Sequence, residues 1–331
     1  MNNNNIPLHQ EDDIVFDNDY DFSDSFFDLN ETQIPKLGID FKTPIEKIKL
    51  KFKNFEDLLK LGHVNARSLP KHIHEIERYL LETLLDIFGV SETFISEDTP
   101  QSLYQIPGYK YINKSRDKKC RGGIGIFVNE NFPVKVLKLP VDFVQPEMLF
   151  VEVTIGVVKM AVGVIYKSPL IPYSVYAAIH ENIVAITSKY EHVLIMGDMN
   201  INHLLPESSA CKFFTTYLTE PFAFSQVITE PTRITATSST LIDLMLTSSP
   251  ENVKAHGVVD TPGISDHCMI FMAYSLKKPK FKAKMITRRD FRKFNKDAYM
   301  RDMEFAPWGN IEAVDDDDID RKSTRLNSSH W

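Results

Sequence analysis

The sequence is poor in cysteine, glycine and tryptophan, with three, thirteen and two in 331 residues. Cys120, Cys211 and Cys268 lie far apart, with neither metal-ligand spacing nor the density of a disulfide framework, which suits a reducing compartment. No apolar run approaches the ~18 residues of a membrane span. The opening MNNNNIPLHQ lacks the basic-then-apolar layout of a secretory leader. No repeat recurs at a solenoid period. With 43% of residues hydrophobic, the chain can bury the core of one large domain of about 220–250 residues, with tails to spare.

The net charge of −7 is unevenly placed. Ten acids and one base, Lys36, fall within residues 1–40, which leaves 37 bases against 35 acids in the rest. The acidity belongs to one end and says little about what the domain binds. Residues 1–57, with an Asn run and acids interleaved with Phe and Tyr, read as a largely disordered tail.

The pattern changes at Leu58. Leu58–Asn65 reads as a strand, Ser68 and Pro70 as a helix start, and Ile73, Ile76, Leu80 and Leu84 as one helical face. Asp86–Val90 returns as a strand that ends on Ser91-Glu92-Thr93. Parallel strands joined by a right-handed crossover end on the same edge of a sheet, which brings Asn65 and Glu92 to one rim. Residues 96–121 read as a polar loop region. Ile124–Val128, Val134–Leu137, Met148–Val153 and Val157–Tyr166 follow as closely spaced β-branched strands of antiparallel type. Tyr173–Lys189 has helical spacing and leads into HVLIMGDMN, a buried strand broken by Gly197 and followed by Asp198 and Asn200. Residues 211–219 read as a short helix, Leu241–Leu246 as a strand holding Asp243, and Cys268–Ala273 as the last apolar run, directly after Ser265-Asp266-His267. Both halves thus run strand, helix, polar strand end.

The polar strand ends are Asn65, Glu92, Tyr166, Asp198, Asn200, Asp243, Asp266 and His267. A metal-assisted phosphodiester hydrolase needs a carboxylate for a hard cation, an activator of water, donors for phosphate oxygens and an oriented histidine. Mg²⁺ is satisfied by one or two carboxylates with waters retained, so Glu92 with Asp266 suffices, and Mn²⁺ can substitute. Asp198 is placed to activate water, and Asn65, Tyr166 and Asn200 to hold phosphate oxygens. His267 can hydrogen-bond the phosphoryl group, with Asp243 fixing its tautomer. An Asp between Ile242 and Leu244 in a strand requires a partner.

The series HVNARSL, SET, RGGIGIFV, VIYKSP, GDMN, STLIDLML and SDH resembles, in the same order, the exonuclease/endonuclease/phosphatase superfamily. It is most similar to the apurinic-type endonuclease domain of LINE-like (non-long-terminal-repeat) retrotransposons, over about Leu59–Ser275. The resemblance implies a DNase I-like four-layer α/β sandwich, two packed mixed β-sheets flanked by helices, with the site at one rim. It implies that Glu92 binds the divalent metal with Asp266 beside it, and that Asn65 supports the site. Asp198 would act on the attacking water, Asn200 and Tyr166 on the scissile phosphate, and His267 with Asp243 as a phosphate-stabilising pair. Thr232 and Thr240 match hydroxyl positions. The implied activity is nicking of duplex DNA to leave a 3′ hydroxyl that primes reverse transcription, with element RNA and a reverse transcriptase domain as partners and the nucleus as place of action.

For DNA contact, Arg67, Arg116, Lys118, Lys119, Arg121, Lys167 and Arg233 lie in loops next to these motifs, with the Thr232 and Thr240 hydroxyls counted among the DNA-facing groups. Residues 58–276 are then the catalytic domain and 277–319 a charged linker towards a reverse transcriptase, since no YADD-type polymerase motif is present. Residues 320–330, DRKSTRLNSSH, resemble a translated sequencing-library adapter, so 320–331 are set aside from fold reasoning. Two other readings share these motifs. One is a phosphatase of the same fold acting on phosphoinositides, although the extra basic loops of such enzymes are not visible. The other is an inactive remnant serving as a binding module, although none of the eight polar positions is missing.

Overall fold

The structure, a computed structural model, describes residues 42–115, 122–279 and 295–305. By its internal contacts the chain divides between Lys42 and Thr43, and the fold lies in the unit from Thr43 onward. In chain order its elements are α1 (Pro44–Phe52), β1 (Leu58–Asn65), α2 (Leu69–Thr83), β2 (Ile87–Ser91), β3 (Tyr109–Lys114), β4 (Ile124–Asn129), β5 (Val134–Val136), β6 (Glu147–Ile155) and β7 (Val158–Tyr166). The second half comprises α3 (Val175–Ala178), α4 (His180–Thr187), β8 (His192–Asp198), α5 (Ser209–Phe214), β9 (Ser225–Gln226), β10 (Arg233–Ile234), β11 (Ser239–Thr240), β12 (Asp243–Thr247), β13 (Val253–Val259), β14 (Met269–Lys277) and α6 (Lys296–Glu304).

Two six-stranded mixed sheets carry the architecture, in the orders β13-β14-β1-β2-β4-β3 and β5-β6-β7-β8-β12-β9. Each is built around a single parallel pair flanked by antiparallel strands. In the first sheet the pair is β1 with β2, joined by α2; in the second it is β7 with β8, joined by α3 and α4. A parallel pair needs a crossover, and a crossover puts both strand ends at one edge. Asn65 and Glu92 therefore share an edge of one sheet, and Tyr166 and Asp198 an edge of the other. The sheets pack through a core that includes Leu59, Leu61, Ile87, Ile126, Val164 and Leu244. A second core joins the outer face of the first sheet to the helices, through Val64, Phe88, Phe271, Ile73, Ile76 and Leu80. The expected four-layer sandwich is observed.

Several boundaries differ from the sequence reading. The expected tail, 1–57, overlaps folded structure: Thr43 and Glu46 form a capping box, Pro44 starts a helix, and Ile45, Ile48 and Phe52 are buried, while residues 1–41 lie outside the described residues. A nine-residue helix is too short to persist alone in water. Burying three such side chains, at about 1.5–3 kcal/mol each, holds it in place. Ser68 makes no side-chain cap for α2, and Leu84 is its exposed left-handed C-cap rather than part of the buried face. The expected loop 96–121 contains β3, and β13 had no counterpart in the sequence reading. Both are outer strands of the first sheet, partly buried, and neither carries an apolar run the length of the strand. The folded part extends past the expected boundary at 276: Lys278 Nζ meets Asp86 Oδ2 at 3.0 Å and Lys278 N donates to Asp57 O at 2.9 Å. α6 then occupies part of the segment expected as linker. Residues 320–331 lie outside the described residues.

Gly197 is required by the close approach of β7 and β8. Its φ is +150°, and a Cβ there would lie 1.9 Å from the carbonyl oxygen of Ile165. We expect Gly197→Ala to lower stability by at least about 2 kcal/mol, because backbone rather than a flexible side chain has to move. Urea unfolding of the variant beside the wild type measures this.

Candidate active site

On β1, Leu59, Leu61, His63 and Asn65 alternate toward the second sheet, and Asn65 is the last residue of the strand. Its buried Nδ2 donates to Glu92 Oε1 and to Asp198 Oδ2, both at 3.0 Å. One amide thus ties the two sheets together at their common rim. Its Oδ1 accepts from the Arg67 amide at 3.2 Å. Glu92 follows β2 with φ +51°, Asn200 follows β8 with φ +47°, and Arg67 has φ +46°. Left-handed backbone at three non-glycine residues costs of order 1–3 kcal/mol apiece and clusters where function over-determines geometry.

Glu92 Oε1 also accepts from the Tyr166 hydroxyl at 3.0 Å. Burial, reinforced by Glu92 and Asp198, drives the Tyr166 phenol well above its ordinary range, so it stays protonated as a donor. Asp198 ends β8 wholly buried. Its Oδ1 accepts from the Asn200 amide at 3.0 Å. Asp243 is its register partner on β12. Burial, and then the Asp243 carboxylate, push Asp198 up to about 7 against the opposing pull of His267 and Asn65. A carboxylate held near neutrality is matched to accepting a proton from water.

Asp243 Oδ2 lies 2.9 Å from His267 Nδ1. Burial alone would lower the imidazole, but Asp243, by charge and hydrogen bond, with Asp198 behind it, raises His267 to about 9. The ring is a cation at neutral pH. The SDH loop is fixed at several points: Ser265 Oγ accepts from His267 N at 3.1 Å, and Thr261 Oγ1 donates to His267 O at 3.0 Å. Among the described residues, Asp198, Asp243 and His267 offer ligand atoms within 4.8 Å of one another.

His267 Nδ1 is already engaged with Asp243 Oδ2, so a cation in that buried trio would have to displace this pair. Glu92 fits better. It is half-buried at the rim, and among the described residues its Oε2 takes no hydrogen bond while Oε1 takes two. Mg²⁺ or Mn²⁺ is held by one or two carboxylates with waters completing the shell, which is the donor set this rim presents.

Not every expected residue joins this cluster. Asp266, expected beside the metal, has both oxygens engaged: Oδ1 by Arg67 Nη1 at 2.9 Å, and Oδ2 by Arg233 Nε and Nη2, each at 2.9 Å. Burial would raise its pKa, but Arg233 and Arg67 hold it below the usual carboxylate range. Ligation there would break an ion pair. Lys167, expected to face DNA, is buried, and its ammonium closes its own loop by donating to Ser168 O at 3.0 Å and Ile171 O at 2.7 Å. Its carbonyl accepts from Asn200 Nδ2 at 2.8 Å, which orients the Asn200 amide. Thr232 is likewise buried. Its Oγ1 accepts from Asp243 N at 3.0 Å and Ile242 N at 3.2 Å, so it positions Asp243 and cannot meet DNA. Thr240, half-buried on β11, donates to Arg233 O at 3.4 Å. Arg67 is exposed and Arg233 half-exposed beside the site. Arg116, Lys118, Lys119 and Arg121 lie outside the described residues. Glu147, absent from the sequence reading, sits buried opposite Tyr166 and accepts from Gly123 N at 2.7 Å, fixing the glycine pair.

Such a rim, on two packed mixed sheets, defines a class of DNase I-like phosphoester hydrolases. The chain belongs to the Endonuclease/Exonuclease/phosphatase family, whose model matches residues 59–267. Comparison with curated protein sequences gives no match. Among solved structures, it is similar to an AP endonuclease from Archaeoglobus fulgidus (17% identity, TM-score 0.52), covering 66% of this chain and 100% of that one. It is also similar to the endonuclease domain of TRAS1, a telomere-specific non-LTR retrotransposon (14% identity, TM-score 0.51, 66% and 100% covered). A third similar structure is the Xenopus laevis APE2 catalytic domain (16% identity, TM-score 0.53, 68% and 94% covered). At these identities the likeness establishes the fold. Family membership supports a hydrolytic phosphoesterase. No helix among the described residues is long and apolar enough to cross a membrane.

The His267 cation depends chiefly on the Asp243 carboxylate. In ring NMR we expect His267 to titrate near 9 in the wild type, and lower in Asp243→Asn, where burial remains and the largest counter-charge is gone. A folded pKa above the unfolded one stabilises fully below about 6.5 and loses that contribution as pH rises through about 9. The stability gap between wild type and Asp243→Asn should therefore narrow over that window in urea unfolding.

Proposed function

We propose that the protein is a Mg²⁺-dependent DNA endonuclease that cleaves a phosphodiester in duplex DNA to leave a 3′ hydroxyl. The observation that carries this reading is the unbroken rim network Tyr166–Glu92–Asn65–Asp198, with Asp243–His267 in register beside it. Asp198 takes a proton from the attacking water. The His267 imidazolium, held by Asp243, offers its other ring N–H to a phosphoryl oxygen as negative charge builds there. The second Nδ2 hydrogen of Asn200 is a donor for a remaining phosphate oxygen, and Tyr166 becomes one when its single hydroxyl proton turns away from Glu92. Glu92 would hold the cation, which when bound supplies charge neutralisation and Lewis acidity.

The substrate assignment draws on Arg67 and Arg233. They flank the rim with more positive charge than the single Asp266 between them neutralises, as suits a polymer with phosphates on either side of the scissile one. The seven-motif series and the likeness to the TRAS1 domain support a retroelement origin. The 3′ hydroxyl would then prime reverse transcription on element RNA, by a polymerase domain in the same longer protein, at chromosomal DNA in the nucleus.

The test is incubation of the full chain with supercoiled plasmid. We expect conversion to the open circle with Mg²⁺, abolished by EDTA, and a fall of at least about 100-fold in Glu92→Ala and His267→Ala. No nicking by folded protein, together with release of phosphate from phosphoinositides, would replace this reading with the phosphatase one.

A further inference from the structure

His63 has no role in the chemistry above, yet it is wholly buried on the same face of β1 as Asn65. Its neighbours on that face, Leu59 and Leu61, are apolar core residues. An imidazole in such a row costs stability unless its nitrogens find partners. Nε2 has one, Ser91 Oγ at 2.9 Å. Among the described residues Nδ1 has no hydrogen bond, and neither has Asp243 Oδ1, and both atoms are buried. The two orphans face each other at 3.9 Å. That is too long for a hydrogen bond and too short to admit a water between them. Catalytic contacts are often loose without substrate and tighten when it binds.

We propose that His63 is a positioning residue: anchored by Ser91, it presents Nδ1–H to Asp243 Oδ1 and so keeps Asp243 Oδ2 aimed at His267. Asp243 is then gripped from two sides, by His267 on one oxygen and His63 on the other. Thr232 holds its backbone amide. The tautomer follows from the partners. A carboxylate opposite Nδ1 selects the proton there, and Nε2 then accepts from the Ser91 hydroxyl. Burial keeps the ring neutral, at about 4, in spite of Asp243, so His63 adds a dipole and not a second cation beside His267.

The kinetic test rests on the nuclease reading. His63→Gln can reach Ser91 but not Asp243, and His63→Asn places an amide where Nδ1 stood. In steady-state plasmid nicking with Mg²⁺ we expect His63→Gln to lower kcat about tenfold or more with KM within about twofold. His63→Asn should return kcat to within about threefold of wild type. Wild-type kcat in folded His63→Gln, or a loss that His63→Asn does not restore, overturns the proposal. If either His63 variant does not fold, Ser91→Ala decides. Removing the anchor while keeping the ring should lower kcat with KM unchanged, and an unaltered kcat overturns the proposal. Should the wild type cut no DNA, the nuclease reading fails and the proposal is judged on its own. The His267 ring resonances shift in His63→Gln if Asp243 is repositioned, and unchanged resonances overturn it.

Discussion

Asp198 and Asp243 are register partners on adjacent antiparallel strands, and both are removed from water. Two carboxylates so placed repel each other and lack solvent to spread their charge, so the surrounding structure has to supply donors and a cation. Asn65 reaches across from the other sheet to one, and the Asn200 amide folds back onto it. His267 becomes an imidazolium against the other, and Thr232 fixes that residue's main chain. Much of the rim follows from making this pair tolerable. The same arrangement leaves a base near neutral pH next to a fixed positive donor.

The twofold plan of the sheets explains how four separate segments converge. Each sheet has one parallel pair, and each pair delivers two polar residues to its end: Asn65 and Glu92 from one, Tyr166 and Asp198 from the other. Packing the sheets face to face brings the ends together, and Asn65 and Tyr166 complete the joint by bonding to Glu92. Loops carry the rest. The Arg67–Asp266–Arg233 bridge joins the segment after β1 to the hairpin of β10 and β11 and to the SDH loop. Asp266, expected beside the metal, is the carboxylate that two arginines hold in this bridge.

Residues buried within regular periodicity were legible from sequence. β1 spans Leu58–Asn65 as expected, and Asp243 announced itself as an acid in a strand segment. His63 gave the same signal, two residues before Asn65 in an apolar strand, and could have been found by the same reasoning. The T-P-I-E start of α1 was also in plain view, masked by the acidic stretch before it. β3 and β13 were not legible, because an outer strand buries too little to need an apolar run. Nor could spacing reveal that Lys167 folds onto its own loop, that Thr232 is buried, or that Asp266 belongs to two arginines. Those depend on which loops meet, and sequence periodicity does not record that.

The assignment of the cation to Glu92, with His267 kept as a proton-bearing donor, separates this account most sharply from one in which the buried Asp198, Asp243 and His267 hold a metal. Anomalous diffraction from crystals grown with Mn²⁺ distinguishes the two. We expect a peak on the Glu92 carboxylate, with His267 still paired to Asp243. A peak ligated by His267 together with Asp198 and Asp243 would contradict the account.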